Sequence, residues 1–256
     1  MSALRIGCSG WTYKDWAGPF YPPGTPDRAR LEYYATRFDT AEINASFYRL
    51  PSEAMVQGWA RRSPPGFLFA WKVSRYITHN KKLLDCEEPV ALVYGRMAPL
   101  ADKRGPSLVQ LPPQLRRNDE RLKRFLALLP AGQRHTVEFR HPSWYEAAVF
   151  QALRDHDVAL CISDHHSAPS PWEVTASWAY VRGHGPGGRY WGRYPAADLE
   201  AWSARVRAWA DAGLDVYSYF DNDIKSAAPL DAETLKSLAC AAAPHSEAIA
   251  AGSPSP

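Results

Sequence analysis

The chain has 256 residues, is 46% hydrophobic and carries a formal charge of +3 with a pI near 8.6. That length suits one large core and is a common size for a single α/β barrel. The mild positive balance falls short of a dedicated nucleic-acid binder, and no apolar run is long enough to span a membrane. The N-terminus enters a strand at once, so no signal peptide is expected. Cys8, Cys86, Cys161 and Cys240 form no C-x-x-C pair. They fit a reducing, cytoplasmic setting.

Taken in order, apolar runs alternate with helix-period segments, the pattern of βα units. Leu4–Cys8 is the first predicted strand. A helix over Asp27–Arg37 follows, with Leu31, Tyr34 and Phe38 on one side. Thr40–Asn44 is the second strand, after which Ser52 caps a helix through Arg62. Leu68–Val73 and Ser107–Leu111 are the third and fourth, and no element is assigned between them. Asp119–Leu129 carries the helical stripe Leu122, Phe125, Leu126 and Leu129. Thr136–Arg140 is the fifth strand, and Ser143 is read as the cap of a helix to Asp155. Ala159–Ser163 and Trp178–Arg182 are the sixth and seventh. Their connection, His165–Ser177, is short and broken by proline, so no full helix is expected there. A helix over Asp198–Ala212, the strand Asp215–Phe220 and a helix over Asp231–Ala239 complete the set. Residues 1–240 therefore read as one (β/α)8 TIM-type barrel. Residues 241–256, rich in Ala, Ser, Gly and Pro, read as a flexible tail.

Barrel enzymes build their sites from the carboxyl ends of strands. Here those ends are polar: Glu42 and Asn44, Lys72, Gln110, Glu138 with Arg140 and His141, Asp164, Arg182 with His184, and Asp221 with Asn222. Isolated buried charges are too costly to keep, so these groups must pair, face water or meet a ligand. Glu138-x-Arg140 places opposite charges on one strand face. Glu138 is the expected acid/base, Glu42 its partner, and Lys72 a base, an imine-forming amine or an anion ligand. Arg140 and Arg182 are expected to hold negative charge. Asn44, Gln110, His141, Asp164, His184, Asp221 and Asn222 are expected to orient the ligand, with Trp11 and Tyr13 as aromatic walls. Replacing Glu138 by Gln is expected to stop turnover and leave the fold intact. No cofactor is expected. Asp164, His165, His166 and His184 with the carboxylates keep a divalent metal as the lesser alternative, although no fixed ligand spacing supports it.

Several motifs resemble the YecE-like family, domain of unknown function 72. They are Ile6-Gly7-Cys8-Ser9-Gly10-Trp11-x-Tyr13, Glu42-Ile43-Asn44-x-x-Phe47-Tyr48, Gln110-Leu111-Pro112-Pro113, Glu138-Phe139-Arg140-His141-Pro142-Ser143-Trp144 and Tyr219-Phe220-Asp221-Asn222-Asp223. The match runs colinearly from about Leu4 to Leu238. The resemblance implies a TIM-type barrel and brings no established reaction. The chain departs from many relatives by Asp221 and Asp231, where they carry Asn, which adds negative charge. Three functions stay open: an enzyme of hydrolase, lyase or isomerase type on a small polar, anionic or sugar-like substrate, a nucleic-acid-binding or processing protein, and a non-catalytic small-ligand sensor. Oligomeric state is not readable from the sequence.

Overall fold

The computed structural model describes residues 2–241. Eight parallel strands form one sheet: β1 Leu4–Cys8, β2 Thr40–Ile43, β3 Leu68–Lys72, β4 Arg104–Gln110, β5 His135–Glu138, β6 Ala159–Ser163, β7 Trp178–Gly183 and β8 Asp215–Phe220. Their order is β1-β8-β7-β6-β5-β4-β3-β2, and an isolated parallel bridge between Ser9 and Glu42 brings its two ends together. Helices pack outside: α1 Arg30–Arg37, α2 Ala45–Tyr48, α3 Glu53–Arg62, α4 Glu87–Met97, α5 Asp119–Leu126, α6 Ala147–Asp155, α7 Ala196–Asp211 and α8 Ala227–Cys240. The architecture is the TIM-type barrel expected. The proposed tail beyond residue 241 lies outside the described residues. No helix among the described residues is long and apolar enough to cross a membrane.

The period of two along each strand sorts the side chains into two cores. Ala70, Leu108, Ala159, Cys161, Trp178, Tyr180, Tyr217 and Tyr219 fill the barrel interior. A larger outer core lies between sheet and helices and contains Phe69, Trp71, Val109, Val137, Val181 and Phe220. Following the inward set toward the carboxyl ends leads to Lys72, Gln110, Glu138, Ser163, Arg182 and Asp221. Alternation alone therefore makes the mouth polar.

Tyr34 of α1 supports the seam between β1 and β2. Its hydroxyl accepts from the Cys8 N–H at 2.8 Å and donates to the Thr40 carbonyl at 3.0 Å. Gly7 leaves the necessary space, because a Cβ there would lie 2.4 Å from the Thr40 carbonyl oxygen and 2.8 Å from the Tyr34 hydroxyl. A Tyr34→Phe variant strands one buried donor and one buried acceptor. It should lose about 2–4 kcal/mol in a urea titration, and a loss below about 0.5 kcal/mol would show that the seam does not depend on this bridge.

Several boundaries differ from expectation. α4 has no counterpart among the expected elements because Pro89 and Gly95 interrupt its pattern, yet proline is tolerated in a first turn. Ser143 caps no helix. It sits in the 3-10 turn Pro142–Trp144, and α6 begins at Ala147 with Glu146 in the cap position. β5 ends at Glu138, so Arg140 lies beyond the ladder. α5 stops at Leu126, three residues early. No helix joins β6 to β7: the Ser170 N–H donates to the Ser163 carbonyl at 2.8 Å, and Trp172 lies against Trp202 and Trp209. The gap leaves a lateral cavity of about 380 Å³ lined by Trp172, Trp202, Pro186 and Arg205, outside the barrel wall.

Candidate active site

Arg182, fully buried at the end of β7, is the centre of the mouth. Its Nε donates to Glu42 at 3.1 and 3.2 Å. Nη1 donates to Glu138 at 3.0 Å and to His184 Nε2 at 3.0 Å. Nη2 reaches Glu42 at 2.8 Å, Asp221 at 2.7 Å and Ser9 Oγ at 2.9 Å. Every guanidinium N–H therefore has a protein acceptor, and the chain's strands converge on one side chain. Glu42 is equally saturated, accepting also from Ser9 and from Tyr180 at 2.5 Å.

Arg140 forms the second layer. It pairs with Glu138 at 2.6 Å, donates to the Tyr190 hydroxyl at 2.9 Å and points Nη2 at His184 Nε2 at 3.2 Å. Two guanidiniums facing one ring nitrogen make Nε2 an acceptor, so His184 is the neutral tautomer. Its Nδ1–H then donates to Asp164 at 3.1 Å. Burial, reinforced by Arg182 and Arg140, pushes His184 well below its ordinary range. The 3.7 Å approaches of its Nε2 to Glu138 and Asp221 are therefore not ion pairs.

The same balance sets the other groups. Burial raises Glu138, but Arg140, Arg182 and Lys72 outweigh it and hold the carboxylate at about 2. Burial takes His165 down to about 3 and His79 to about 4, helped by Arg140 and Lys72 respectively. Burial raises Asp164 to about 6, against the Tyr194 hydroxyl that donates to it. Burial, then the facing Asp221, pushes Asp223 well up. Lys72 falls to about 8, chiefly through burial and then through Arg182, while Asp221, Glu138 and Glu42 oppose the change.

Lys72 differs from its neighbours in contact as well. Its ammonium rests 4.5 Å from the centre of the Phe47 ring and has no hydrogen-bond acceptor among the described residues. On the adjacent strand the Gln110 amide also lacks a protein partner among the described residues. The Asn44 and Asp223 Oδ1 atoms are buried and unpartnered. Tyr190 accepts from Arg140 and keeps its own hydrogen to donate. It is held at φ 69° in the glycine-rich segment after β7, a strained conformation for an aromatic residue and one that recurs at functional sites. Tyr190, Tyr13, Asp15 and Asp223 line a cavity of about 300 Å³ at the mouth.

The structure thus gathers Glu42, Glu138, Arg140, Asp164, Arg182, His184 and Asp221 into one network, with Lys72 beside it and Asn44 at its edge. Asn44 Nδ2 lies 3.4 Å from the Ser9 carbonyl and 3.5 Å from Asp221, and the Tyr13 hydroxyl donates to the same carbonyl at 2.6 Å. Three other expected residues make their contacts outside this network. Trp11 packs in the outer core on Trp59 and Phe69. His141 uses Nδ1 to accept the Ser143 N–H of the following turn. Asn222 ties the Gly192 carbonyl to Asp231 of α8, and Asp231 also takes Arg193. Ser9, Tyr180, Tyr190 and Asp223 were missed as site residues. Inward alternation from Arg182 would have found Tyr180. Glu138→Gln is now expected to disturb the fold, since two buried guanidiniums would lose compensating charge. Among the described residues, no group of three or more His, Cys, Asp or Glu side chains is arranged to hold a metal ion.

A closed parallel barrel whose mouth is a balanced ion cluster defines a TIM-type barrel protein. The chain belongs to the family described as protein of unknown function DUF72, whose model matches residues 5–253. It is similar to the UPF0759 protein YecE of Escherichia coli K12, 31% identical over 143 residues, which are 56% of this chain and half of that relative's length. The UPF0759 protein YunF of Bacillus subtilis is 23% identical across 86% of this chain and 89% of its own. Among solved structures, a DUF72 family protein of Thermotoga maritima superposes with a TM-score of 0.83 at 25% identity, covering 92% of this chain and 98% of that one. An Enterococcus faecalis family member gives 0.79 at 19% identity, covering 94% and 96%, a likeness of fold alone.

Proposed function

We propose that the barrel mouth is the active site of an enzyme acting on a small polar, anionic or sugar-like molecule, with Lys72 as the reacting base. One observation carries this reading. Of the three cations at the strand ends, Arg182 has an acceptor for every N–H and Arg140 pairs through both Nη atoms with only its Nε left over, whereas Lys72 has no acceptor among the described residues. A buried amine that titrates near 8 is poised for proton transfer at physiological pH. Glu138 and Glu42 take a different part from the one the sequence suggests. Locked to Arg182, they position the floor of the site instead of moving protons. Gln110 and Tyr190 face the substrate as hydrogen-bonding groups.

The test is a turnover screen of phosphorylated, carboxylated and sugar-like small molecules with wild type and Lys72→Met. Loss of the order of 100-fold or more in the variant is expected, the scale of a lost general base. Turnover that survives the substitution would refute the assignment.

A further inference from the structure

We infer that Lys72 acts as a covalent amine, taking a small aldehyde or ketone as an imine at the barrel mouth. The inference rests on the reading of Lys72 as the reacting group and adds the class of substrate. An amine becomes a nucleophile when it sheds its proton, and a desolvated site beside another cation promotes that loss. Both conditions hold here. Lys72 is 8% exposed, its stem ends over the Phe47 ring, and the Arg182 guanidinium lies in the same cluster. No carboxylate accepts a hydrogen bond from Nζ among the described residues, so no such bond holds the amine in its protonated form.

The rest of the mouth suits the step. The nitrogen lone pair attacks the carbonyl carbon, and the C=O π pair moves to oxygen. One amine hydrogen transfers to that oxygen, giving a carbinolamine. The second leaves with the hydroxyl as water, and the C=N bond forms. Tyr190, whose oxygen accepts from Arg140 at 2.9 Å, keeps its own O–H to donate at the mouth. Asp223, with an unpartnered Oδ1, lines the same cavity as Tyr190. The saturated carboxylates Glu42 and Glu138 cannot compete as nucleophiles, since their oxygens are bound to Arg182, Arg140 and Tyr180.

The experiment is reductive trapping of the full chain with glycolaldehyde or glyoxylate and cyanoborohydride, read by peptide mass spectrometry. Lys72 should carry the reduced adduct at least about ten times faster than any other lysine, because far more of it is unprotonated at neutral pH. Its rate should rise to a plateau above about pH 8. Adducts scattered evenly over the lysines, or none on Lys72, would overturn the imine. Acetic anhydride labelling in parallel separates the two failures. Fast acetylation of Lys72 without trapping refutes the imine and keeps the amine as a reactive base. Slow acetylation together with no trapping refutes both. Lys72→Met, checked for native circular dichroism, should lose the adduct at this position and leave the slow background on other lysines unchanged.

Discussion

Arg182→Met should be the most damaging single substitution in this protein. It leaves Glu42, Glu138 and Asp221 buried around a side chain that can pair with none of them. Removing one partner of a buried ion pair costs about 3–5 kcal/mol, and typical domains have only about 5–15 kcal/mol in hand. The variant is expected to lose at least about 4 kcal/mol at neutral pH or to fail to fold. A methionine of similar volume keeps the packing, so the loss measures charge. Its pH dependence has a definite sign. In the wild type, Glu138 is held at about 2, below its ordinary 4.5. That stabilisation is complete above the unfolded value and disappears as pH falls through the folded one. Without Arg182 the carboxylates prefer their protonated forms, so the gap between variant and wild type should narrow from pH 7 to pH 4. Urea titrations at both values test this. A loss under about 1 kcal/mol at pH 7 would show that the cluster is not held by Arg182.

Lys72→Met should act in the opposite direction. A lysine lowered from 10.5 to about 8 is charged in surroundings that disfavour its charge. Its folded value lies below its unfolded one, so the native state binds fewer protons between those limits. Stability therefore rises with pH across that window in the wild type. At pH 7 the charged amine costs about 3 kcal/mol, at 1.36 kcal/mol per unit of displacement. The methionine variant should be more stable by about 2–4 kcal/mol at pH 7 and should lack the alkaline gain. Greater stability together with lost reactivity is the expected mark of a residue kept for function. A variant less stable than wild type would mean that Lys72 serves as a counter-ion to Asp221 and Glu138.

Much of the fold was legible because alternation and apolar runs report local geometry. β1, β6 and β8 match their expected limits, and the Pro-broken segment after β6 forms no helix. Pro106 and Gly105 concealed the first residues of β4, although this edge of the strand pairs with Phe69. The polar strand ends were legible as a set. Their partners were not, because Arg182 meets Glu42 across 140 positions of chain, and nothing local records such a meeting. For the same reason the pairing of Glu138 with Arg182 could not be read from its own strand. The contact of Tyr190 with Arg140 depends on a strained backbone, which composition does not reveal.

The join between β1 and β2 gives the molecule an unequal circumference. Seven neighbours are stitched by ladders, whereas this one is held by the Ser9–Glu42 bridge and the Tyr34 hydroxyl. Breathing of the cylinder should begin there. Glu42 is both a rivet of that joint and an anchor of Arg182, so opening would slacken the ion cluster at the mouth at the same moment. Occupancy at the top should accordingly be felt as slower amide exchange at Cys8, far more than at Val109 or Val181 on the stitched side.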